Sequence, residues 1–169
     1  MKNENPPSVD LDKLGELIDG IDVAMLTTQA ADGSLVSRPL QTLQFDRKGD
    51  LLFFTEADSG KVAELEAKAQ VNLAYAHPGK HRYVSVRGKA SVAHDRAKID
   101  ELWSPVHKAF FPNGKDDPNL AVLRVTVRDA DFWESSGNFI MRALDFTRAI
   151  VSENPAPLGE HGKLDGRGA

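Results

Sequence analysis

The sequence contains no cysteine, so disulfides, thiolate zinc sites and cysteine nucleophiles are all excluded. Basic residues are not in surplus: 21 Lys and Arg stand against 25 Asp and Glu, which gives a net charge of −4. Because DNA- and RNA-binding proteins usually carry a positive face, we expect no nucleic-acid partner. No apolar run approaches the roughly 18 residues of a membrane-spanning helix, and no apolar segment follows Lys2 as in a secretory signal. We therefore expect a cytoplasmic protein without a membrane partner.

Patterns typical of metal-dependent and serine-dependent catalysis are also missing. His77 and His81 are four residues apart, but Pro78-Gly79 between them breaks the helix that would aim both rings at one ion. His94 and His107 have no companion pattern. No serine stands in a Gly-x-Ser-x-Gly elbow. We predict neither a metal site nor a serine-type catalytic triad.

What is present is the composition of an ordinary globular domain, 41% hydrophobic and 27% charged over 169 residues. Helical spacing of apolar residues predicts a helix over Leu11–Ile21, and further helices are predicted over Ser59–Lys68 and Asp95–Trp103. Regular alternation over Tyr83–Ala93 is typical of a half-buried strand, with Gly88 as a bulge or close approach.

Strands dominate the rest of the chain. Asp32-Gly33 is a tight-turn signal that predicts a hairpin. With the alternating segment above, the predicted strands are Val23–Thr28, Leu35–Phe45, Leu51–Thr55, Val71–Ala76, Leu120–Val127 and Phe139–Val151. Mostly antiparallel strands with a few helices indicate a mainly β protein, a closed or partly closed barrel. We expect one domain over residues 11–151, a flexible N-terminus over 1–10, and an extended or mobile tail over 152–169.

A candidate anion site lies where the strand Leu51–Thr55 turns into the next helix. Lys61 falls in the first helical turn, where the helix dipole favours an acid, so a bound phosphate would explain the cation there. The hydroxyls of Thr55 and Ser59 would add donors. The alternative is an exposed lysine beside a serine that caps the helix. The segment is no Walker loop, because Thr55 occupies the position of its first glycine.

Two other features also allow two interpretations. Pro39 cannot donate to a strand ladder, so Ser37–Leu40 should lie at a sheet edge, where backbone groups and Arg38 could meet a ligand. The alternative is a blunted edge strand with a surface arginine. Trp133 is either ordinary core or an aromatic wall against a flat ring.

Several short segments, each weak alone, form an ordered set along most of the chain: Thr27-Thr28, Ser37-Arg38-Pro39-Leu40, Leu52–Thr55, Ser59-Gly60-Lys61, Val71–Tyr75, Tyr83–Ala90, Leu102–Pro105, Phe110–Pro118 and Phe132-Trp133. Together they resemble the bacterial general-stress proteins of the pyridoxamine 5′-phosphate oxidase-like, FMN-binding split-barrel superfamily. The resemblance implies a six-stranded antiparallel split β-barrel with peripheral helices. It further implies an obligate homodimer with two FMN sites across the subunit interface.

The resemblance also implies roles for individual residues in that site. Arg38 and its neighbours would line the isoalloxazine and ribityl groups, and Phe54 and Thr55 would contact flavin and phosphate. Ser59 and Lys61 would bind the phosphate. Trp133 of the other subunit would flank the ring, with Tyr83 near a polar flavin contact. The full set of implied cofactor-binding residues is Arg38, Pro39, Leu40, Thr42, Leu43, Phe54, Thr55, Ser59, Lys61, Tyr83 and Trp133.

Two departures from the oxidases concern basic residues. Gly60 stands where the oxidases carry a basic residue, which leaves FAD open beside FMN. The oxidases' C-terminal basic substrate motif has no clear match, Arg142 being the nearest arginine. The missing substrate motif argues against a true pyridoxamine phosphate oxidase.

The expected activity is that of an FMN-dependent oxidoreductase of unassigned substrate, with a nicotinamide nucleotide as electron donor. Alternatives are a flavin-binding module without turnover that stores or senses flavin, a haem or deazaflavin protein on the same barrel, and a dimeric scaffold with an empty site. A haem protein would require an axial histidine facing the pocket, and no histidine is compelled into that role by its position.

Overall fold

The structure, a computed structural model, describes residues 10–46, 48–135 and 160–164. Three α-helices and three 3₁₀ turns accompany eight strands in these residues. The helices are α1 (Leu11–Ile18), α2 (Gly60–Ala67) and α3 (Arg96–Leu102), and the turns are Pro78–Lys80, Pro105–Ala109 and Gly114–Asp116. The strands are β1 (Val23–Gln29), β2 (Leu35–Gln41), β3 (Gln44–Phe45), β4 (Asp50–Glu56), β5 (Gln70–His77), β6 (Arg82–Ala93), β7 (Leu120–Glu134) and β8 (Glu160–Leu164).

All the strands join one antiparallel sheet in the order β2-β1-β5-β6-β7-β4-β3. β8 lies off this order and pairs with the last residues of β7. The sheet curls into a split barrel whose inner face holds the main core. Alternate residues such as Leu26, Leu73, Val86 and Val125 are fully buried there, which is the period that a half-buried strand requires. Six long strands match the six expected, and the short β3 and β8 are additional.

The returning strand predicted over Leu35–Phe45 is in fact two strands. β2 pairs with β1 as far as Gln41, after which the chain changes partners. The Thr42 amide donates to the Asp22 carbonyl, and the Leu43 amide donates to the Leu52 carbonyl, both at 2.8 Å. β3 then pairs with β4. The prediction of one continuous strand over Leu35–Phe45 is therefore wrong, and β2 lies at the end of the sheet order, as its proline predicts.

β7 continues to Glu134, seven residues beyond the predicted end at Val127, so Trp133 lies on a strand. Its ladder with β6 shifts register between Arg87 and Gly88. A Cβ at Gly88 would lie 2.6 Å from Val125 Cγ1, so no larger residue fits without displacement. The bulge and the close approach predicted at this glycine both occur.

β8 pairs with β7 over Ala130–Glu134 and lies within the predicted tail. A Cβ at Gly162 would lie 2.4 Å from the Phe132 ring, so the missing side chain lets β8 approach the barrel. The predicted strand Phe139–Val151 and the N-terminal residues 1–9 lie outside the described residues.

A second, smaller core lies on the outer side of β4 and β7, beneath α3. It joins Leu52, Ile99, Phe111, Leu120 and Val122. α3 begins where the Asp95 carboxylate accepts a hydrogen bond from the Lys98 amide at 3.1 Å, as the sequence predicts. Across the described ranges, no helix has the length and apolar character needed to cross a membrane.

Candidate cofactor site

A cavity of about 610 Å³ opens between the free edge of β2 and the end of β4. Ligand sites typically occupy roughly 300–1,000 Å³. Its walls come from β2, β4, the start of α2 and the segment after α3. Of the predicted site residues, those that line the cavity are Pro39, Leu40, Leu43, Phe54, Thr55 and Lys61. The tertiary fold thus brings together residues from three separate segments of the sequence.

Lys61 carries the positive charge of this cavity. Its Nζ donates to Thr55 Oγ1 and to Ser59 Oγ, each at 3.1 Å. Burial lowers the pKa of the Lys61 ammonium, against the raising effect of the Glu56 carboxylate. Among the residues that the structure describes, no carboxylate oxygen lies within 4.0 Å of Nζ. An ammonium has three donors, so one remains for an anion in the cavity.

Ser59 occupies the position before α2, yet it does not cap the helix in the predicted way. Its hydroxyl makes no hydrogen bond to the first-turn amides. It donates instead to the Glu56 carbonyl at 2.8 Å and accepts from Lys61 Nζ. The hydroxyl therefore holds the lysine and does not cap the first-turn amides, of which that of Val62 donates to the Ser59 carbonyl at 2.9 Å.

Arg38 has a different surrounding from Lys61. Its guanidinium forms a bidentate pair with the Glu64 carboxylate, at 2.9 and 3.0 Å, and donates to Thr28 Oγ1 at 2.8 Å. The Thr28 hydroxyl donates in turn to Glu64 Oε2 at 2.6 Å. Hydrogen bonds from Arg38 and Thr28 hold the pKa of Glu64 below its ordinary value. The network ties β1 and β2 to α2, and Arg38 does not line the cavity.

Thr42, Tyr83 and Trp133 also lie away from the cavity in a single chain. Thr42 Oγ1 is 2.9 Å from the hydroxyl of Tyr75, whose pKa burial raises to about 12. Tyr83 and Trp133 face each other across β6 and β7 and expose 43% and 45% of their surface. They lie on the outer face of the sheet, as a role toward a second subunit would require.

An aromatic wall formed by His107, Phe110 and Phe111 completes the cavity, and no sequence pattern had assigned these residues a role there. The His107 ring packs edge-on against Phe54, with centroids 5.0 Å apart, and is 94% buried. Its Nδ1 accepts a hydrogen bond from the Ser104 amide at 3.0 Å. The three-residue spacing of Ser104 and His107 is the local signal that could have indicated this histidine.

Comparison with known proteins identifies the family of this chain. A family model described as "Pyridoxamine 5′-phosphate oxidase like" matches residues 10–156. The chain belongs to this family. Within it, the chain is similar to general stress protein 26 of Bacillus subtilis, with 31% identity over 78 residues, which span 44% of this chain and 55% of that protein.

Two further relatives extend the similarity over more of the chain. Protein bli-3 of Neurospora crassa is 26% identical over 170 residues, covering 95% of this chain and 81% of its own. The crystal structure of a general stress FMN/FAD binding protein from Xanthomonas citri superposes with a TM-score of 0.66 and is 29% identical, covering 76% of this chain and 91% of its own. The fold is the split barrel of the pyridoxamine 5′-phosphate oxidase-like family.

Proposed function

We propose that this chain binds FMN in the cavity between β2 and β4 and acts as an FMN-dependent oxidoreductase of the general-stress type. The observation that carries the proposal is the Lys61 ammonium, held toward the cavity by two neutral hydroxyls and without a carboxylate partner among the described residues. A phosphate would complete this arrangement, because a charge-assisted hydrogen bond is roughly twice as strong as a neutral one. The Xanthomonas citri neighbour, an FMN/FAD binding protein, supports the choice of ligand.

The rest of the cavity suits a flat, mostly apolar ring system. Pro39, Leu40, Leu43 and Phe54 contribute apolar side chains to its lining. Among the described strands, β2 has a pairing partner on one side alone, so its other edge offers backbone donors and acceptors. Around Gly60 there is open space, since a Cβ built there would meet nothing within 4 Å. A larger flavin such as FAD therefore remains an outcome of the test.

Bound FMN would supply two-electron exchange with a nicotinamide nucleotide and an organic substrate. The chain's own part is binding and orientation. Lys61, Thr55 and Ser59 would hold the phosphate, and the apolar walls would exclude water from the ring. We assign no side chain the role of a proton donor or acceptor in the reaction.

We further propose a homodimer with the two flavin sites at its interface. The support is the outer face of the sheet, where large apolar side chains expose between 40% and 72% of their surface: Val23, Met25, Leu35, Tyr83 and Trp133. The strand registers place these residues on one side of β2, β1, β6 and β7. Large apolar side chains exposed on one face of a sheet are typical of a contact surface. A second copy would cover it and bring its Tyr83 and Trp133 toward the first copy's cavity.

Flavin binding is tested by fluorescence titration of the purified chain with FMN and with riboflavin, which lacks the phosphate. Lys61→Met should weaken FMN by about tenfold to a hundredfold, the value of a hydrogen bond to a charged group, and leave riboflavin unchanged. Lys68→Met is the matched control, because Lys68 directly follows the same helix and donates to the neutral Gln29 amide at 2.6 Å. Failure of the unmodified chain to bind either compound would refute the proposal.

Reduction of the bound FMN by a nicotinamide nucleotide separates the oxidoreductase from a flavin store or sensor. The oxidoreductase requires bleaching of the flavin's visible absorbance at a rate compatible with turnover, whereas a flavin that stays oxidised points to the module without turnover. The mass of any ligand released from freshly purified protein identifies FMN, FAD or another cofactor directly.

Light scattering tests the homodimer. Met25→Glu places a charge in the middle of the exposed apolar face and should convert the dimer to a monomer with weakened FMN binding. Val106→Glu is the control for molar mass, because Val106 is 63% exposed but lies on the 3₁₀ turn Pro105–Ala109, outside the strands that carry that face. An unchanged molar mass for Met25→Glu, or a monomeric parent chain, would refute the interface.

A further inference from the structure

Three titratable residues of the cavity, Asp22, Glu56 and His107, have no part in the proposed function, and His107 is the buried one among them. It is 6% exposed and lines the cavity beside Phe110 and Phe111. Aromatic rings surround it on its other sides, with Phe54 at 5.0 Å and Trp103 at 5.5 Å between centroids. A polar ring in such an aromatic pocket is costly to bury unless both of its nitrogens are used.

The protonation state of His107 follows from its partner. A backbone amide can only donate, so the Ser104 amide requires a lone pair on Nδ1. Burial also lowers the pKa of the imidazole from its ordinary value of 6.5. At neutral pH the ring is therefore uncharged and carries its proton on Nε2.

The second ring nitrogen of His107, Nε2, is left to a partner other than the Ser104 amide. Among the described residues no hydrogen bond reaches Nε2. In the same part of the chain, every fully buried side-chain nitrogen or oxygen has a partner. Nε2 therefore retains some open surface, and a ligand in the cavity that His107 lines could reach it.

We propose that His107 binds the ring system of the cofactor by donating its Nε2–H to a carbonyl oxygen or an unprotonated ring nitrogen. This inference rests on the proposed function. The phosphate is the less suitable partner for two reasons. Lys61, Thr55 and Ser59 already form a charged and hydroxyl-lined pocket for it, and a neutral donor among Phe54, Phe110 and Phe111 suits a flat, uncharged acceptor. His107 thus distinguishes ligands by the acceptors on their rings.

Two substitutions separate the two nitrogens of His107. His107→Asn places an amide oxygen near Nδ1, keeps an acceptor for the Ser104 amide, and removes the donor at Nε2. His107→Gln places an amide N–H near Nε2 and removes the acceptor at Nδ1. Each variant is titrated with FMN and with riboflavin, and each is unfolded in urea.

The proposal predicts a crossed pattern. His107→Asn should weaken FMN and riboflavin by the same factor, about threefold to tenfold, the value of one neutral hydrogen bond. His107→Gln should bind both compounds with an affinity within about twofold of the parent chain, a smaller change than the loss of that hydrogen bond would cause. The same variant should unfold at a lower urea concentration. Equal losses for the two compounds would distinguish this ring contact from the phosphate contact of Lys61.

Three results would overturn the inference. Unchanged affinity of His107→Asn for riboflavin would refute the donor role and leave the proposed function standing. Loss of FMN alone would move the contact to the phosphate. Nitrogen NMR of the full chain at neutral pH provides a test independent of binding, because a proton found on Nδ1 rather than Nε2 would contradict the assigned state. If the parent chain binds no flavin, the inference fails together with the proposed function.

Discussion

Arg38 and Lys61 are two cations of the same region, and their surroundings differ. Arg38 is engaged by the Glu64 carboxylate through two hydrogen bonds and by the Thr28 hydroxyl through a third. Lys61 is held by the hydroxyls of Thr55 and Ser59, which carry no charge. The first cation is neutralised within the chain, and the second keeps its full charge beside an open cavity.

The partners of a cation therefore decide what it can bind, and its residue type or position in a motif does not. Arg38 lies on β2 and Glu64 on α2, 26 positions apart in the chain, so the hydrogen bonds between them stabilise the packing of these two elements. The hydroxyls around Lys61 orient the ammonium without offsetting its charge. We therefore expect Arg38 to matter more for folding and Lys61 more for the ligand.

The largest expected effect on stability is that of Arg38→Met, because it leaves the Glu64 carboxylate with Thr28 as its remaining partner. We expect the free energy of unfolding to fall by roughly 2 kcal/mol, within the range for hydrogen bonds to charged groups. Lys61→Met should change it by less than about 0.5 kcal/mol, as surface substitutions usually do. Urea denaturation without added flavin measures both. Equal losses for the two variants would abolish the distinction.

A smaller effect is expected from Glu64→Gln, which keeps the shape of the side chain and removes its charge. At neutral pH the variant should be less stable by about 1 kcal/mol. Because folding lowers the pKa of Glu64, its contribution is complete above its ordinary value of 4.5 and is lost as the pH falls through the lower folded value. The stability difference between the two proteins should therefore shrink on acidification.

Glu66→Gln serves as the control for this pH series, since Glu66 is an exposed residue of the same helix. Its stability should follow that of the parent chain from neutral pH into the acid range. A gap between the parent chain and Glu64→Gln that widens as the pH falls would contradict the assigned direction of the pKa change.

The smallest effect concerns Ser59→Ala. A serine that caps a helix contributes about 1 kcal/mol, but the Ser59 hydroxyl bonds to the Glu56 carbonyl and to Lys61 instead. We expect a loss of less than about 0.5 kcal/mol in unfolding and a roughly twofold to threefold weakening of FMN, as for a weak neutral hydrogen bond. A stability loss near the full value of a cap, with unchanged FMN affinity, would restore the capping role.

Much of the fold was predictable because its signals are local. Alternation over Tyr83–Ala93 and the proline of β2 each report on a few neighbouring residues, and the structure confirms a long strand and an edge strand there. The division of Leu35–Phe45 was not predictable, since it depends on Thr42 and Leu43 finding partners on two different segments. Strand β8 was missed for the same reason, because its partner β7 is distant in the sequence.

The candidate site divides in a similar way. Thr55, Ser59 and Lys61 stand close together in the sequence, and their contact follows from one strand-to-helix turn. The roles that the family resemblance implies for Tyr83 and Trp133 remain predictions, because they concern a second copy of the chain. The sequence gives His107 no companion metal ligand and so predicts no role for it. Only the packing of its ring against Phe54 brings it to the cavity.

By itself the sequence determined the mainly β character, the absence of cysteine chemistry, and the turn that places a lysine beside two hydroxyls. Such features depend on composition and on short-range spacing, which the covalent chain sets directly. Only the folded arrangement pairs Glu64 with Arg38, leaves Lys61 without a carboxylate partner among the described residues, and brings His107 to the cavity with Nδ1 bonded to the Ser104 amide. Neighbours that are distant in the sequence decide whether a charge is neutralised and whether a ring nitrogen has a hydrogen-bond partner. These properties therefore depend on the folded arrangement.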